Sequence, residues 1–267
     1  MKAIIVAEAA SNHNGDMLLA KEMIHAAKES GADIIKFQSY LGKNVKDGHD
    51  DKERFSQMNL SDDNHYDLMK ECAKFQIDFS TTCFDIDRVV FLNSLKLKYI
   101  KIASYDVESR IMISKLMNIC DHLILSTGSS NIDEVKKTVD LLEMNSKEYT
   151  LLHCTTLYPT PMEKSNLARM LNLMSIAPRV GFSDHTLGVS VPKAAISMGA
   201  SMVEKHFTLD KNLPGKSHPL ACDPLELKEI ADYAVDFEIM KGTGSDDFSD
   251  EEIKVKNFYN GLLGEGV

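Results

Sequence analysis

Apolar residues along this chain fall into short runs that alternate with longer stretches of helical spacing. Ala3–Ala10 (A-I-I-V-A-E-A-A) is a continuous apolar run broken by Glu8, the pattern of a strand buried on both faces. The loop S-N-H-N-G-D follows, with Asp16 placed to cap a helix over Met17–Ser30 that closes at Gly31. The same alternation predicts strand Asp33–Gln38, a polar insertion to about Ser61, helix Asp63–Phe75, strand Asp78–Thr82 and helix Ile86–Leu95. It continues with strand Tyr99–Ser104, helix Arg110–Ile119, strand His122–Ser126, helix Ile132–Met144, strand Tyr149–Cys154 and helix Leu167–Ser175. Two short β-forming runs, Val180–Phe182 and Met202–Val203, flank a helix over Leu187–Ala200, with Pro192 near its start and Gly199 at its end. Helix Pro224–Met240 comes last.

Strands alternating with helices imply a parallel sheet, and eight copies in about 240 residues match an α/β fold of the (β/α)8 TIM barrel type. A doubly wound open sheet is the competing fold, but no strand is followed by G-x-G-x-x-G or G-x-x-x-x-G-K-[ST]. No linker rich in Pro, Gly or Ser divides the chain, so one barrel domain is expected over residues 1–241, with 242–267 as a polar C-terminal tail.

Composition narrows the function. The 43% hydrophobic and 26% charged fractions are ordinary for a globular protein, no apolar run reaches the roughly 18 residues of a membrane span, and Met1-Lys2-Ala3 leads straight into a strand. A cytoplasmic protein with no membrane partner is the expectation. A formal charge of −10 argues against a nucleic-acid partner, so any anionic substrate needs a local positive field. Five scattered cysteines without a C-x-x-C suggest reduced core thiols rather than disulfides or a thiolate metal site.

In such a barrel the reacting groups come from the C-terminal ends of the strands. Those ends carry Glu8, Lys36 and Gln38, Ser80 and Thr81, Lys101 and Ser104, Ser126 and Thr127, His153, Ser183 and His185, and Glu204 and His206. Two lysines with several hydroxyls in an acidic molecule read as an anion pocket. His185 and His206 end parallel strands and therefore reach the same edge, where two imidazoles can share a divalent metal and leave its other positions open. Taken singly, each lysine is also readable as a snorkelling side chain, His153 as a core histidine, His13 as a loop residue, and His25, His49, His65 and His122 as surface residues. A strand-end lysine also permits Schiff-base chemistry, which would not need the histidine pair. A metal-dependent amidohydrolase would need H-x-H on the first strand, where N-H-N offers only His13.

The motifs themselves carry a resemblance: S-N-H-N-G-D at 11–16, G-A-D-I-I-K-F-Q at 31–38, F-S-T at 79–81, K-I-A-S at 101–104, I-L-S-T-G at 124–128, L-L-H-C-T-T-L-Y-P-T-P at 151–161, G-F-S-D-H-T-L-G at 181–188 and E-K-H-F-T-L-D at 204–210. From Glu8 to about Asp223 the chain resembles the sialic acid (nonulosonic acid) synthases, which condense phosphoenolpyruvate with an N-acylated hexosamine such as N-acetylmannosamine. The resemblance implies His185 and His206 as ligands of a divalent metal, Mn2+ or else Mg2+ or Co2+. It implies Lys36, Thr81, Lys101, Ser104, Ser126, Tyr158 and Ser183 at phosphoenolpyruvate, and Asn14, Gln38, Asp106 and Ser217 toward the sugar. Glu8 and Glu204 are implied as the carboxylates that handle the water proton or orient ligands, beside Lys36 and Lys101 in the catalytic group. The implied chemistry is attack of C3 of phosphoenolpyruvate on the sugar aldehyde, addition of water at C2 and loss of phosphate by C–O cleavage.

Departures from the family's pattern fall on the sugar side. Tyr105-Asp106 stands where Gly-Glu is usual, L-P-G-K-S-H at 213–218 replaces L-P-G-P-D-H, and Thr156 takes the place of an asparagine. The family's small C-terminal antifreeze-like domain is not recognised, so either a homodimer or partner supplies a cap, or the Lys43–Asp62 insertion covers the mouth, with Lys43, Lys46, Lys52 or Arg54 contributing a cation. Two rival functions stay open here: the same chemistry on a different or phosphorylated aldose, and a non-catalytic barrel that binds phosphoenolpyruvate beside a partner enzyme.

Overall fold

The computed structural model describes residues 2–262 and 264; the remainder of the expected tail lies outside them. Eight parallel strands close into a barrel in sequence order. They are β1 (Ile4–Glu8), β2 (Ile34–Ser39), β3 (Asp78–Cys83), β4 (Tyr99–Ile102), β5 (His122–Ser126), β6 (Glu148–Cys154), β7 (Val180–Asp184) and β8 (Met202–His206), with β1 paired to β8 to complete the ring. The fold is the TIM barrel that the alternation predicts.

The helices are α1 (Met17–Glu29), α2 (Lys52–Gln57), α3 (Asp62–Phe75), α4 (Val89–Leu95), α5 (Arg110–Leu116), α6 (Ile132–Met144), α7 (Arg169–Met174), α8 (Ser190–Ser197), α9 (Pro224–Met240) and α10 (Asp250–Tyr259). Asp16 accepts from the amides of Leu18 and Leu19 as the cap of α1, and reciprocal capping boxes start α3, α6 and α9. α2 lies inside the polar insertion and α10 inside the expected tail, and the spacing predicts neither as helical. The described residues of α10 are all exposed and include Ile253, Val255, Phe258 and Tyr259, so the tail is less polar than its composition suggests.

Strand alternation sorts the side chains into two compartments. Val6, Ile34, Tyr99, Ile124, Leu152 and Met202 form a separate apolar cluster that plugs the barrel. The larger core lies between strands and helices, where Ile5, Ala7, Ile35, Phe37, Ile100, Leu123, Leu125 and Leu151 meet Met23, Ile24, Leu68, Leu92 and Leu173. Two residues beyond Val6, Ile34, Tyr99, Ile124 and Met202 the inward positions turn polar, at Glu8, Lys36, Lys101, Ser126 and Glu204, which places the chemistry just above the plug.

Candidate active site

A cavity of about 760 Å3 opens at the C-terminal end of the barrel, lined by groups from all eight strands or the loops that follow them. Its floor carries four charged side chains, each less than 5% exposed: Glu8, Lys36, Lys101 and Glu204. Lys36 contacts Glu8 Oε2, lies 3.7 Å from Glu204 Oε2 and donates to Thr82 Oγ1 at 2.8 Å. Lys101 donates to Glu204 Oε1 at 2.6 Å, and Ser183 Oγ donates to the same oxygen at 2.9 Å.

Removing four charges from water is costly, and mutual pairing offsets it. Burial pulls the Lys36 ammonium down to about 7, with Glu204 opposing the drop and Lys101 adding to it. Burial alone would raise Glu204, but Lys101, Lys36 and Ser183 together hold its carboxyl down to about 2. The pairing is incomplete: Glu8 Oε1 and Glu204 Oε2 are buried without a hydrogen-bond partner. Two unpaired acceptors beside two ammonium groups form a site that can take an anion and a water together.

At the mouth, the His185 and His206 ring centroids are 5.4 Å apart, and Tyr158 lies 4.0 Å from His185 and 6.1 Å from His206. His185 Nδ1 lies 2.8 Å from the carbonyl of Thr155, which fixes the proton there and leaves Nε2 as an acceptor. His206 Nδ1 is buried without a partner. Burial lowers both rings below the ordinary histidine range, that of His206 well below it with His185 contributing, so both are neutral and present lone pairs near pH 7. Among the described residues no cluster of three or more His, Cys, Asp and Glu is arranged around one point, so a metal at the mouth would find no ready-made set of three such ligands. The neutral rings, the orphaned Nδ1 and the fixed tautomer suit a divalent ion that takes its other ligands from substrate or water.

Ser104, Ser126 and Ser183 line the same cavity. Gly128 donates its amide to Ser104 Oγ at 3.1 Å, and a Cβ there would meet Thr156 Cγ2 at 2.7 Å and Ser104 Oγ at 2.9 Å, so only glycine lets these loops approach. Gln38, Tyr158 and Ser217 also line the cavity as expected.

Three expected residues do not. Thr81 follows an inward Ser80, so alternation turns its hydroxyl outward and Thr82 takes the lining position. Asp106 sits in the 3-10 turn after β4, where Ser104 and Tyr105 face the cavity instead; burial raises its carboxyl. Asn14 is drawn to His218, with Nδ2 3.3 Å from Nε2. Of the four cations in the insertion, Arg54 lines the cavity and Lys43, Lys46 and Lys52 do not. His65, expected at the surface, is fully buried: its Nδ1 bonds the Ser61 carbonyl at 2.8 Å and its ring packs on Phe79 and Phe91. His153 is a core histidine, held by the carbonyl of Ser165 and by Arg169. Thr82 and Cys154 are among the lining residues not singled out from the sequence; for Thr82 the period of two from Ser80 was the available signal.

Residues 23–246 match the NeuB family. The N,N'-diacetyllegionaminic acid synthase of Legionella pneumophila is 37% identical over 277 residues, covering 96% of this chain and 78% of that protein. The N-acetylneuraminate-9-phosphate synthase of Drosophila melanogaster is 32% identical over 252 residues, covering 88% and 68%. The crystal structure of a sialic acid synthetase from Leptospira borgpetersenii in complex with citrate superposes with a TM-score of 0.90 at 28% identity, covering 97% of this chain and 93% of that one.

Proposed function

We propose, for a chain that belongs to the NeuB family of nonulosonic acid synthases, that it joins phosphoenolpyruvate to an N-acylated hexosamine with release of phosphate. The observation that carries this reading is the buried floor, where two ammonium groups and two carboxylates with unpaired oxygens lie directly below a neutral histidine pair.

Lys36 and Lys101 match the negative charge of phosphoenolpyruvate, and Ser104, Ser126 and Ser183 supply hydroxyls around it. An entering anion competes with Glu8 and Glu204 for the lysines, which frees carboxylate oxygens for other partners. C3 of phosphoenolpyruvate forms the new bond to the aldehyde carbon of the open-chain sugar. Water adds at C2 and gives one proton to a carboxylate, which returns a proton to the former aldehyde oxygen as it becomes a hydroxyl. The C2–O bond to phosphate then breaks, the remaining hydroxyl proton passes to the departing phosphate, and a 2-keto acid and inorganic phosphate are left. Glu204, held at about 2 by both lysines, is a weak proton acceptor. Glu8, with one oxygen on Lys36 and the other free, is the group assigned to the water. His185 and His206 would hold a divalent ion, with Mn2+ favoured over Mg2+ or Co2+, and such an ion supplies Lewis-acid polarisation of the sugar aldehyde. Tyr158, packed on His185, fixes that ring and shields it from water.

Phosphate release from phosphoenolpyruvate, followed across a panel of N-acyl hexosamines with and without Mn2+, tests the reading. Sugar-dependent release supports it, and none with any sugar rejects it in favour of a barrel that binds phosphoenolpyruvate without turning it over.

A further inference from the structure

The outer half of the cavity is chemically lopsided. Arg54 of α2 reaches the lining beside Ser11, and Phe84, Ile86, Tyr105, Ile111 and Met112 contribute apolar surface to the same cavity. Phe84 and Tyr105 stack at 6.0 Å with their planes 18° apart, which joins two of these residues into one aromatic surface. Above the floor lysines, Arg54 is the one Lys or Arg among the described lining residues.

Its guanidinium lies over the Phe55 ring, with Cζ 5.1 Å from the centroid, and its N–H donors are only partly engaged. Nε is buried without a hydrogen-bond partner, Nη1 reaches Ser11 Oγ only at 3.3 Å, and Asp51 Oδ1 stands 3.9 Å from Nε. Asp51 itself is bound by Lys216 at 2.7 and 2.8 Å. Asp85 also lines this half, its carboxylate engaged by Asn44 Nδ2 at 2.8 Å and by the amide of Asp87 at 2.9 Å.

Arg54 and Lys216 together offset Asp51 and Asp85, which leaves this half close to neutral. A phosphoryl dianion normally meets several cationic or amide donors, whereas Lys216, the cation that shares Asp51 with Arg54, is held by that carboxylate and does not line the cavity. An amide carbonyl needs one or two N–H donors, and acyl methyl groups need apolar surface, which Arg54 and the apolar lining residues offer. Resting on the proposed condensation, we propose that Arg54 determines specificity at the sugar end by donating to an acylamido carbonyl, so the acceptor is an uncharged acylamido sugar and not a sugar phosphate.

The test compares the wild-type protein with R54M and R54K on N-acetylmannosamine, its 6-phosphate and a 2,4-diacetamido hexose, reading KM for each substrate and sugar binding by calorimetry. The wild type should favour the uncharged sugars over the phosphate by about tenfold or more in kcat/KM, the scale on which a buried donor discriminates. R54M should raise the KM of the acylated sugars about tenfold while the phosphoenolpyruvate KM stays within about twofold, and R54K should recover part of the loss. A preference for the 6-phosphate, or equal sugar constants in wild type and R54M, overturns the proposal. If no sugar is turned over, the condensation fails by itself; acylated-sugar binding that R54M abolishes then still supports the Arg54 subsite, and its absence overturns it.

Discussion

Lys205 Nζ lies 2.6 Å from Asp184 Oδ2, and both side chains are almost wholly buried on the outer face of β7 and β8, directly behind the two histidines of the mouth. The same ammonium donates to the carbonyl of Thr186 at 2.6 Å, and Asp184 Oδ1 accepts the amide of Thr186 at 2.9 Å. Alternation thus gives each histidine a charged neighbour on the opposite face, and the pair ties down the turn that carries His185. Lys205→Met leaves a buried carboxylate without its cation and should cost about 3–5 kcal/mol of stability. Urea denaturation of the variant reads this directly, and an unchanged midpoint would show the pair to be dispensable.

His185 and His206 act on the sugar end in the proposed reaction. Alanine at either position should therefore abolish turnover while phosphoenolpyruvate affinity stays within about tenfold, because the contribution belongs to the transition state. Steady-state kinetics with parallel calorimetry separates the two. Full activity in chelator, or a wild-type kcat in either variant, would remove the metal from the scheme.

Lys36 and Lys101 serve binding and folding together. Each charge-assisted contact to phosphoenolpyruvate is expected to contribute about 1.5–3 kcal/mol, so Lys→Met at either site should weaken its binding about tenfold or more. Lys101→Met also leaves Glu204 facing only Ser183 and the more distant Lys36, which should lower stability. Calorimetry on a variant shown to be folded isolates the first effect, and unchanged affinity in both variants would move the anion elsewhere.

The barrel was legible because its signals are local. Strand β5 and helices α6 and α9 begin and end where the pattern predicts, and Asp16 caps α1 as its position before Met17 suggests. The floor was legible because lysines and glutamates at the C-terminal ends of apolar strands must lose their water, and that loss is tolerated only where they pair or bind a ligand. What failed depended on tertiary contacts. His65 follows Asp62, Asp63 and Asn64 and reads as surface, yet its helical face packs on Phe79 and Phe91. α2, a six-residue segment K-E-R-F-S-Q, has little helical signal of its own and is held by Tyr40 Oη on the carbonyl of Phe55 and by Asp51 on Lys216. Thr81 was lost to Thr82 because a motif fixes sequence position, whereas pleat parity decides which side chain faces inward.

Buried histidines of this kind predict an acid-sensitive fold. Burial, first of all, lowers His65 to about 4, and His13 and His122 are likewise lowered to about 4 from the ordinary histidine value of 6.5. Below pH 6.5 the unfolded chain takes up protons that the folded chain refuses, so stability is fully present above that pH and is lost as pH falls toward 4. Each ring contributes a slope of up to about 1.4 kcal/mol per pH unit in this window. His65→Leu should flatten the stability profile between pH 6.5 and 4 relative to the wild type. Parallel denaturation profiles for the two proteins would exclude His65 as a source of that slope.

α2 is held over the mouth by a close approach to the β1–α1 loop. Gly15 has φ +77°, and a Cβ added there would lie 2.9 Å from the backbone carbonyl oxygen of Gln57, the last residue of α2. Gly15→Ala therefore carries about 1–3 kcal/mol of backbone strain and also pushes α2 away from that loop. Because Arg54 and Phe55 on α2 line the sugar half while the lysines sit on strands, the displacement should raise the sugar KM several-fold and leave the phosphoenolpyruvate KM unchanged. Replacing Lys43–Asp62 by a Gly-Ser turn should act in the same direction and further, since it removes the roof instead of shifting it. Steady-state constants for both substrates, measured on variants whose thermal unfolding remains cooperative, decide the matter. If both constants stay at the wild-type values, α2 has no part in holding the sugar, and its position above the cavity serves only the packing of the insertion.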